Sequence, residues 1–596
     1  MRYFYIITII FNFFSINFLV AEEIMLDEIS ISANRFETKL SDVGSSVRII
    51  TKEDLSNSED SYLIDYLQKI PGVSVNQSGP KGSTSGLFLR GLDLKYIKVL
   101  VDGIDIGDVS SIPVTANMSS IMAHDIDRLE VLQGSQSALY GGSAVGGVIS
   151  IATKKNLDSL GSFSSEIGSY GTISFNFDRS LLGEKSDTFL KGSFFSTDGF
   201  SAKSGGSETD GYENSKFSIL SDYYISDTAT AKIVLFLQNE NGDQDGYQVD
   251  PPYGFIDKDD EIFSEEKVGF KTGLEMNYGD LYREVNVQYF NVDRFYTGPY
   301  EYEGTRADFS FLEKRNLASN AFIYGFGSEM HQTSLEGTEK SINLSHLFGE
   351  LIVNGDENMI LTFSGRSSGH SVFGGSSTGR ISASYKFSAG QKVRGSVGTG
   401  YRPPSLYELF APFLGNDGLQ PETSVTADIG VEIPVYKENS LLSAAIFHTT
   451  ISDRIVYDFE TNGYGQSLNN EERFGYELSS TFQLNEEAKV ALSLTHTEDG
   501  NGGKVQRVPL DELVLTASNK FDNGLQISGT ARRVSGLEDF EPLPDYTLVD
   551  MKMSYPLTEK VDIYLRGENL FDTEYQTVAD YGTPGRSVYT GFKAKF

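Results

Sequence analysis

The most restrictive feature of this sequence is the alternation of apolar and polar residues in short segments of its C-terminal three-quarters. The segments KVDIYLRGE and YTLVDMKMSY alternate in this way. The last ten residues, SVYTGFKAKF, continue the pattern and place on one face Val588, Thr590, Phe592, Ala594 and Phe596. A period of two predicts β-strands with one oily and one wet face. Such strands, with charges at alternate positions, are typical of a transmembrane β-barrel.

Composition and length favour the barrel over a soluble all-β sandwich or solenoid. The chain has 60 Gly, 32 Tyr and 40 Phe but no Trp, so Tyr and Phe would form the aromatic girdles at the membrane interfaces. Because a bilayer offers backbone amides no partners, the strands must close into a ring. Residues 156–596 suffice for about 22 antiparallel strands. A ring of that width has an open lumen.

The N-terminus predicts export. Residues 1–21 form an apolar run with one charge, which is typical of a secretory signal peptide. A transmembrane anchor is the alternative, but Asn12, Ser15 and Asn17 disfavour it. No later stretch has 18 consecutive apolar residues, which excludes a helical membrane protein. The chain has no cysteine, so disulfides cannot stabilise it.

Residues 41–155 combine helices and strands and predict a small α+β domain that could block the lumen. At helical spacing stand Leu63, Ile64, Leu67 and Ile70. Ser58 or Asp60 is the predicted cap of this helix, and Pro71-Gly72 ends it. Short strands are expected on both sides of a turn at Asp102-Gly103.

Several motifs resemble those of TonB-dependent receptors of Gram-negative outer membranes. The N-terminal domain contains IPGVSV, LFLRGLDLKYIKVLVDGIDI and DIDRLEVLQGSQSALYGGSAVGGVISIAT, which resemble the family's plug. GYRPPSLYELF and NDGLQPETSVTADIGVE, within 400–432, are similar to its mid-barrel motif. Gln133 and Ser135 replace the family's usual Arg and Pro, which predicts the loss of a polar plug contact there. The glycines of 141–147 are retained, and they permit tight turns and close backbone approach.

The resemblance implies that residues 22–40 contain a coupling segment that binds periplasmic TonB. In the family this segment joins the edge of a TonB sheet, so its backbone supplies most of the affinity. The alternative is an ordinary first strand of the plug. Here the coupling segment consists of Asp27, Glu28, Ile29, Ser30, Ile31, Ser32 and Ala33.

The implied function is active uptake of a scarce ligand, driven through TonB, by a monomer embedded in outer-membrane lipid. The resemblance implies no enzymatic activity and no catalytic cofactor. GPKGST at 79–84 lacks the residue order of a P-loop. The formal net charge of −34 argues against nucleic acid and is compatible with divalent cations. A passive porin or a surface adhesin, which needs no coupling segment, is the alternative from another class.

The SANRFE run after the coupling segment most resembles the cobalamin branch of the family, which implies cobalamin as ligand. A ferric siderophore, haem or another metal chelate is the alternative. The cobalamin branch also binds Ca²⁺ in early extracellular loops, although a solvated acidic loop pair would show the same composition. Carboxylate and amide oxygens suit Ca²⁺. The predicted ligands are Asp198, Glu208, Asp210, Asn241, Asp243 and Asp245, with Asp257, Asp259 and Asp260 as weaker candidates.

Overall fold

The computed structural model consists of a β-barrel with a smaller domain, the plug, inside its lumen. It describes residues 29–58, 60–153, 155, 160–248, 254–258, 261–297, 301–335, 337–356, 358–435 and 440–596. The predicted signal peptide, 1–21, lies outside the described residues. Within the described ranges, none of the helices has both the length and the apolar character needed to cross a membrane.

The described residues of the plug form ten short strands. They are β1 (Ile29–Ser30), β2 (Thr38–Lys39), β3 (Ser46–Thr51), β4 (Val73–Gln77), β5 (Ser85–Leu89), β6 (Leu92–Asp93), β7 (Ile97–Val101), β8 (Ile104–Asp105), β9 (Ile126–Gln133) and β10 (Gly147–Thr153). Five of them form a sheet in the order β3-β9-β10-β7-β8, in which β10 runs parallel to β7. The predicted turn at Asp102-Gly103 connects β7 to β8, and both of its residues have positive φ.

The plug helices differ from the sequence prediction. α1 (Lys52–Asn57) was not predicted, and a reciprocal hydrogen-bonded capping box between Thr51 and Asp54 starts it. α2 (Leu63–Leu67) begins after Tyr62 with no side-chain cap, so the predicted cap at Ser58 or Asp60 is wrong. Ser58 instead follows the last residue of α1. α3 (Ser137–Tyr140) precedes the glycine-rich turn.

Gly147 shows why that turn needs glycine. Its φ is +155°, and a Cβ built on it would lie 2.0 Å from the carbonyl oxygen of Leu132. No side chain can occupy that space, because β10 must approach β9 closely where the two strands begin to pair. The expected close backbone approach within 141–147 is therefore present.

The barrel is a closed ring of 22 strands, and every neighbouring pair is antiparallel, as predicted. The first and last strands of the ring pair with each other. Among the described barrel residues, the helix α4 (Leu406–Phe410) lies in a loop. The remaining strands are β11 (Gly161–Gly168), β12 (Thr172–Leu182), β13 (Ser186–Thr197), β14 (Tyr212–Ser226), β15 (Ala229–Asp243), β16 (Gly246–Gln248), β17 (Gly254–Ile256), β18 (Ile262–Asn277), β19 (Leu281–Tyr296), β20 (Glu301–Leu317), β21 (Asn320–Leu335), β22 (Thr338–Asn354), β23 (Met359–His370), β24 (Gly374–Lys386), β25 (Lys392–Arg402), β26 (Glu422–Pro434), β27 (Leu441–Ser452), β28 (Ile455–Asp458), β29 (Gly463–Gln466), β30 (Glu471–Asn485), β31 (Ala488–Glu498), β32 (Asp511–Lys520), β33 (Gln526–Ser535), β34 (Tyr546–Thr558), β35 (Val561–Glu568) and β36 (Ser587–Lys595). Two small hairpins, β16–β17 and β28–β29, belong to loops and not to the ring.

The two faces of the barrel wall follow the predicted alternation. On β35 and β36 the outward side chains of Leu565 and Val588 are 43% and 49% exposed, while the inward Arg566 and Tyr589 are buried. Apolar side chains therefore face lipid and polar side chains face the lumen, as a membrane-spanning barrel requires.

Connection lengths orient the barrel in the membrane. Long connections such as 198–211, 403–421 and 569–586 leave one end of the ring, whereas the other end has tight turns such as 227–228 and 318–319. In outer-membrane barrels the long loops are extracellular and the short turns are periplasmic. The plug chain enters β11 at the periplasmic end.

The largest apolar core belongs to the plug and includes part of the barrel wall. Leu63, Leu67 and Leu129 are fully buried in it, together with Phe195 and Tyr212 from β13 and β14. This shared core holds the plug against one side of the lumen. The predicted boundary between residues 155 and 156 falls between the last plug strand and the first barrel strand.

Candidate functional sites on the plug and the extracellular loops

The described part of the predicted coupling segment, residues 29–33, lies at the periplasmic end of the plug. Asp27 and Glu28 fall outside the described residues. Ile29–Ser30 pairs with Thr38–Lys39 in a two-residue antiparallel ladder, so this part of the segment is not an unpaired strand. The side chains alternate from Ile29 to Ser32, since Ile29 and Ile31 are exposed while Ser30 and Ser32 are buried; Ala33 is also buried and ends the alternation.

A buried carboxylate on β9 holds the coupling segment. Glu130 is 2% exposed and accepts hydrogen bonds from the backbone N–H groups of Ile31 (3.0 Å) and Ser32 (2.9 Å). Its carboxylate also accepts from Ser30 Oγ (2.7 Å) and Arg128 Nε (2.7 Å). Burial raises the pKa of Glu130, but the hydrogen bonds from the two amides, Arg128 and Ser30 outweigh burial and lower it. Glu130 is therefore ionised at neutral pH.

Tyr140, the last residue of α3, also holds the segment through a hydrogen bond. Its hydroxyl donates to the carbonyl oxygen of Ser32 at 2.6 Å. The Arg128 guanidinium donates to the carbonyl oxygen of Ile29. Sequence reasoning missed these plug residues, although an isolated Glu in the apolar run LEVL was a signal of a buried polar contact.

A second polar contact joins the plug to the barrel wall. Arg90 Nε lies 2.8 Å from Glu477 Oε1 on β30, and both side chains are at most 4% exposed. Gln133 accepts from Arg90 Nη2 (3.2 Å) and donates to the carbonyl oxygen of Pro71 (2.7 Å). Ser135 Oγ donates to the carbonyl oxygen of Thr399 at 2.9 Å. The expected loss of a polar contact at Gln133 and Ser135 is therefore not observed.

Three of the predicted calcium ligands converge at the extracellular end, and we name them the acidic cluster: Glu208, Asp210 and Asp245. One oxygen from each lies within 4.8 Å of the others. Asp210 Oδ2 accepts from the Ala202 amide (2.6 Å), and Asp245 Oδ1 accepts from the Lys258 amide (2.8 Å). The second oxygen of each aspartate has no hydrogen-bond partner among the described residues.

Burial and the neighbouring carboxylates destabilise the charged forms within the acidic cluster. They raise the pKa of Glu208 to about 8, and that of Asp210, which is 1% exposed, to about 6. The pKa of Asp245 is also raised, first by burial and then by Asp257. Unpaired carboxylate oxygens crowded in this way suit a hard divalent cation, which would offset their repulsion.

The structure does not bring the other three predicted ligands into the acidic cluster. Asp198 lies beside Gly171 at the start of the loop. Asp243 Oδ2 already accepts from the Gly211 amide at 3.0 Å. Asn241 is exposed on β15 and donates to Asn239. Of the weaker candidates, Asp257 accepts from Ser201 Oγ at 2.8 Å, while Asp259 and Asp260 lie outside the described residues.

Carboxylates hold many of the basic side chains around the extracellular end. Arg402, at the top of β25, pairs with Glu408 of α4 (3.0 Å) and with Glu422 (2.8 Å). Other pairs with N···O distances of at most 2.9 Å include Arg294–Asp108, Arg507–Asp539 and Lys81–Asp65. Such paired cations leave little uncompensated positive charge for an anionic ligand.

Two cavities between plug and barrel are small. One, of about 60 Å³, lies beside Arg306 and His331, and the other, of about 140 Å³, lies beside Lys81 and Arg566. Sites that enclose a small organic ligand usually measure about 300–1,000 Å³. Neither of these two cavities can enclose such a ligand in this state of the plug.

A 22-strand barrel with a folded domain in its lumen defines a plugged transport receptor of the outer membrane. The chain belongs to the TonB-dependent receptor family. The model described as TonB-dependent Receptor Plug Domain matches residues 39–148, and the model described as TonB dependent receptor-like, beta-barrel matches 153–570. The predicted family, fold and outer-membrane location are thus confirmed, and the family is one of receptors and transporters.

Sequence relatives include vitamin B12 transporters. The transporter BtuB of Vibrio cholerae is 25% identical over 617 residues, which cover 98% of this chain and 97% of the relative. BtuB of Vibrio vulnificus is 26% identical over 627 residues, which cover 95% and 94%. Both alignments extend over nearly the whole of each protein.

Similar solved structures include siderophore receptors. A variant of the ferric enterobactin receptor PfeA of Pseudomonas aeruginosa has a TM-score of 0.79 at 16% identity and covers 93% of this chain and 99% of its own. The siderophore receptor PirA of Acinetobacter baumannii also has a TM-score of 0.79 at 16% identity, with coverage of 92% and 98%. At these identities the likeness shows the fold alone.

Proposed function

We propose that this TonB-dependent receptor takes up cobalamin. The observation that carries the proposal is the sequence likeness to vitamin B12 transporters over 98% of the chain. TonB-dependent transport follows from the family, which sets aside a passive porin or an adhesin. The choice of ligand is the further step.

The charges at the extracellular end support cobalamin over a ferric catecholate. A ferric catecholate is an anion, and its recognition needs cations that are free to bind it. Here Arg294, Arg402 and Arg507 are already held by carboxylates. Cobalamin carries a much smaller charge and does not need such cations.

Haem has less support than cobalamin, because haem receptors of this family often use a histidine near the mid-barrel motif, and no histidine lies between Gly400 and Pro421. His448, the histidine nearest to the mid-barrel motif, is nearly half exposed and lies 3.7 Å from Glu472. Its neighbour Phe447 is buried against the Arg90 guanidinium of the plug and so faces the lumen. Because side chains alternate along a strand, His448 faces outward and cannot reach a ligand in the lumen.

The proposed TonB contact is the coupling segment, Asp27–Ala33. TonB would add this segment to the edge of its own sheet through backbone hydrogen bonds. The exposed side chains of Ile29 and Ile31 would then be available to pockets on TonB. The position at the periplasmic end supports this role.

The first test is a binding titration of the purified receptor in detergent. We expect cyanocobalamin to bind with a Kd below about 1 µM, equivalent to about −8 kcal/mol. Ferric enterobactin and haem should show no saturable binding at the same concentrations. The opposite ranking would replace cobalamin by a siderophore or haem and leave TonB-dependent transport intact.

The second proposal is that the acidic cluster binds one Ca²⁺. We expect millimolar Ca²⁺ to protect the loop 198–211 from proteolysis and to raise the affinity for cobalamin. Asp210→Asn should abolish both effects, because it neutralises the most buried carboxylate of the cluster. Asn241→Ala is the matched control, because Asn241 is exposed and lies outside the cluster. Equal calcium protection in Asp210→Asn and the parent would contradict the site.

A further inference from the structure

We propose that Arg283 and Arg315, here named the arginine pair, bind the phosphate of an anionic phospholipid on the lipid-facing side of the barrel wall. The site lies near the periplasmic end of the barrel, so its ligand is a lipid of the periplasmic leaflet. The arginine pair faces away from the lumen and is therefore separate from ligand passage and from TonB coupling.

The arginine pair stands on the outer face of neighbouring strands. Arg283 of β19 lies opposite Glu313 of β20, and Glu313 lies opposite Tyr324 of β21. Because side chains alternate along a strand, Glu313 and Tyr324 share a face with Phe309 and Phe326. Those two phenylalanines are 41% and 50% exposed, so this face is the one that contacts lipid.

The positions of the strand ends place the arginine pair at the membrane interface. Arg283 is the third residue of β19, and Arg315 is the third residue from the end of β20. The turns next to them, 278–280 and 318–319, belong to the periplasmic end of the ring. Tyr324 lies at the same height, and tyrosines are enriched at the level of the lipid headgroups. The height of the arginine pair therefore matches that of lipid phosphates.

A buried carboxylate fixes the two guanidinium groups. The side chain of Glu313 is 2% exposed. Its Oε2 accepts from Nε (2.9 Å) and Nη2 (2.6 Å) of Arg283. Its Oε1 accepts from Nε of Arg315 (2.6 Å) and from the hydroxyl of Tyr324 (2.6 Å). Both cations are thus held in place before a ligand arrives, which reduces the conformational entropy lost on binding.

The cluster around Glu313 contains more positive than negative charge. Two guanidinium groups surround one carboxylate, and the hydroxyl of Tyr324 is neutral, so one positive charge is not compensated within the cluster. A cation on the lipid face of a barrel destabilises it by an amount that depends on depth. A lipid phosphate would offset this charge, since guanidinium groups bind phosphate oxygens through parallel N–H···O bonds.

Both arginines keep donor groups for a second acceptor. Arg315 is 55% exposed and donates to Glu313 through Nε, which leaves its two Nη groups for a ligand. Arg283 is 35% exposed and donates through Nε and Nη2. The alternative is that the arginines serve only to neutralise Glu313, but one arginine would be sufficient for that.

The surface above the arginine pair suits the acyl chains of the same lipid. Phe309, Phe311 and Phe326 lie next to the pair on the side of the membrane centre and contact one another, with ring centroids 5.1–6.3 Å apart. The guanidinium of Arg283 lies 5.9 Å from the ring centroid of Phe311. Charged and apolar groups are thus arranged in the same order as the headgroup and chains of a phospholipid.

The test uses the full-length receptor in an uncharged detergent, with dioleoylphosphatidylglycerol as the probe. Native mass spectrometry measures the dissociation constant of the first bound lipid. In the double variant Arg283→Gln with Arg315→Gln, this dissociation constant should rise about tenfold, equivalent to about 1.4 kcal/mol. The matched control is Arg533→Gln with Arg586→Gln, which removes two cations from exposed pairs at the extracellular end and should leave the constant unchanged.

The single variant Arg315→Gln keeps the test decisive if the double variant does not fold. Glu313 still accepts from Arg283 and Tyr324 in this variant, so its charge remains paired. The dissociation constant for phosphatidylglycerol should rise about threefold, a smaller effect because one guanidinium remains to bind the phosphate. An unchanged constant in every variant that folds would overturn the site.

Two further probes identify the source of the phosphate. Dioleoylphosphatidylcholine, which has no net charge, should bind about tenfold more weakly than phosphatidylglycerol, because the uncompensated cation attracts anionic lipid. Glycerol 3-phosphate has the phosphate but no acyl chains, and at millimolar concentration it should not displace phosphatidylglycerol. Equal affinity for the two lipids, or displacement by glycerol 3-phosphate, would contradict an anionic phospholipid as the ligand.

Discussion

Replacing Ile31 with proline should reduce energised uptake to the level of cells that lack TonB, while ligand binding at the cell surface stays unchanged. Proline has no backbone N–H, so it removes a donor from the centre of the segment that TonB would add to its sheet. The side chain of Ile31 is 48% exposed, so the substitution removes little packing. Uptake of radiolabelled cobalamin, compared with binding in cells treated with a protonophore, measures both quantities.

The matched control is Ile31→Val, which retains the N–H donor and a β-branched side chain and should transport at the parental rate. The proline variant also loses the hydrogen bond that the amide of residue 31 donates to Glu130, so the plug would hold the segment less tightly. If Ile31→Pro fails to transport, the cause is therefore not that the plug fails to release the segment. Parental uptake by Ile31→Pro would show that TonB binds elsewhere.

The second large effect is expected at the plug anchor. Arg90→Ala leaves Glu477 buried without its charged partner, and loss of one member of a buried ion pair typically costs about 3–5 kcal/mol. Because the pair joins plug to barrel, the cost should appear as weaker docking of the plug. Faster amide hydrogen exchange in β4, β5 and β9, together with larger ion conductance in planar bilayers, would report it.

Two further variants test whether the effect of Arg90→Ala comes from the buried charge of Glu477. Arg533→Ala removes one member of a pair whose side chains are 48% and 44% exposed, and such pairs contribute about 0–1 kcal/mol. The double variant Arg90→Met with Glu477→Met removes both buried charges and should restore most of the docking. If Arg90→Ala exchanged no faster than Arg533→Ala, the anchor would have no role in holding the plug.

The barrel was predictable because its determinant is local. Each strand has lipid on one side and a polar lumen on the other, so apolar and polar residues alternate along it. The alternation can be seen in Val561–Glu568 alone, without knowledge of the neighbouring strands. Strand number followed from length, since each crossing uses a nearly fixed number of residues. The start of α2 was not predictable in this way, because the amide of its first residue, Leu63, donates to the carbonyl oxygen of the distant Ile121 (2.8 Å) and no side chain caps the helix.

The candidate sites were less predictable because distant residues build them. The alternation in the coupling segment was legible, but Glu130 lies about one hundred residues further along the chain and meets it only after the plug sheet forms. The composition of the acidic loops predicted a metal site, but of the six predicted ligands three come together in the structure and three do not. Hydrogen bonds to the backbone, such as the one that Asp210 accepts from the Ala202 amide, decide which carboxylates lie together. No sequence pattern indicates these hydrogen bonds.

The pairing of β11 with β36 also constrains how the molecule is made. These strands stand at opposite ends of the barrel sequence, and Ser162 lies opposite Lys595 in their register. Until the final strand arrives, a growing barrel presents two unsatisfied edges that hydrocarbon cannot solvate. A chain truncated before Ser587 would leave the outer edges of β11 and β35 unpaired, so we expect that it could not insert as a stable ring.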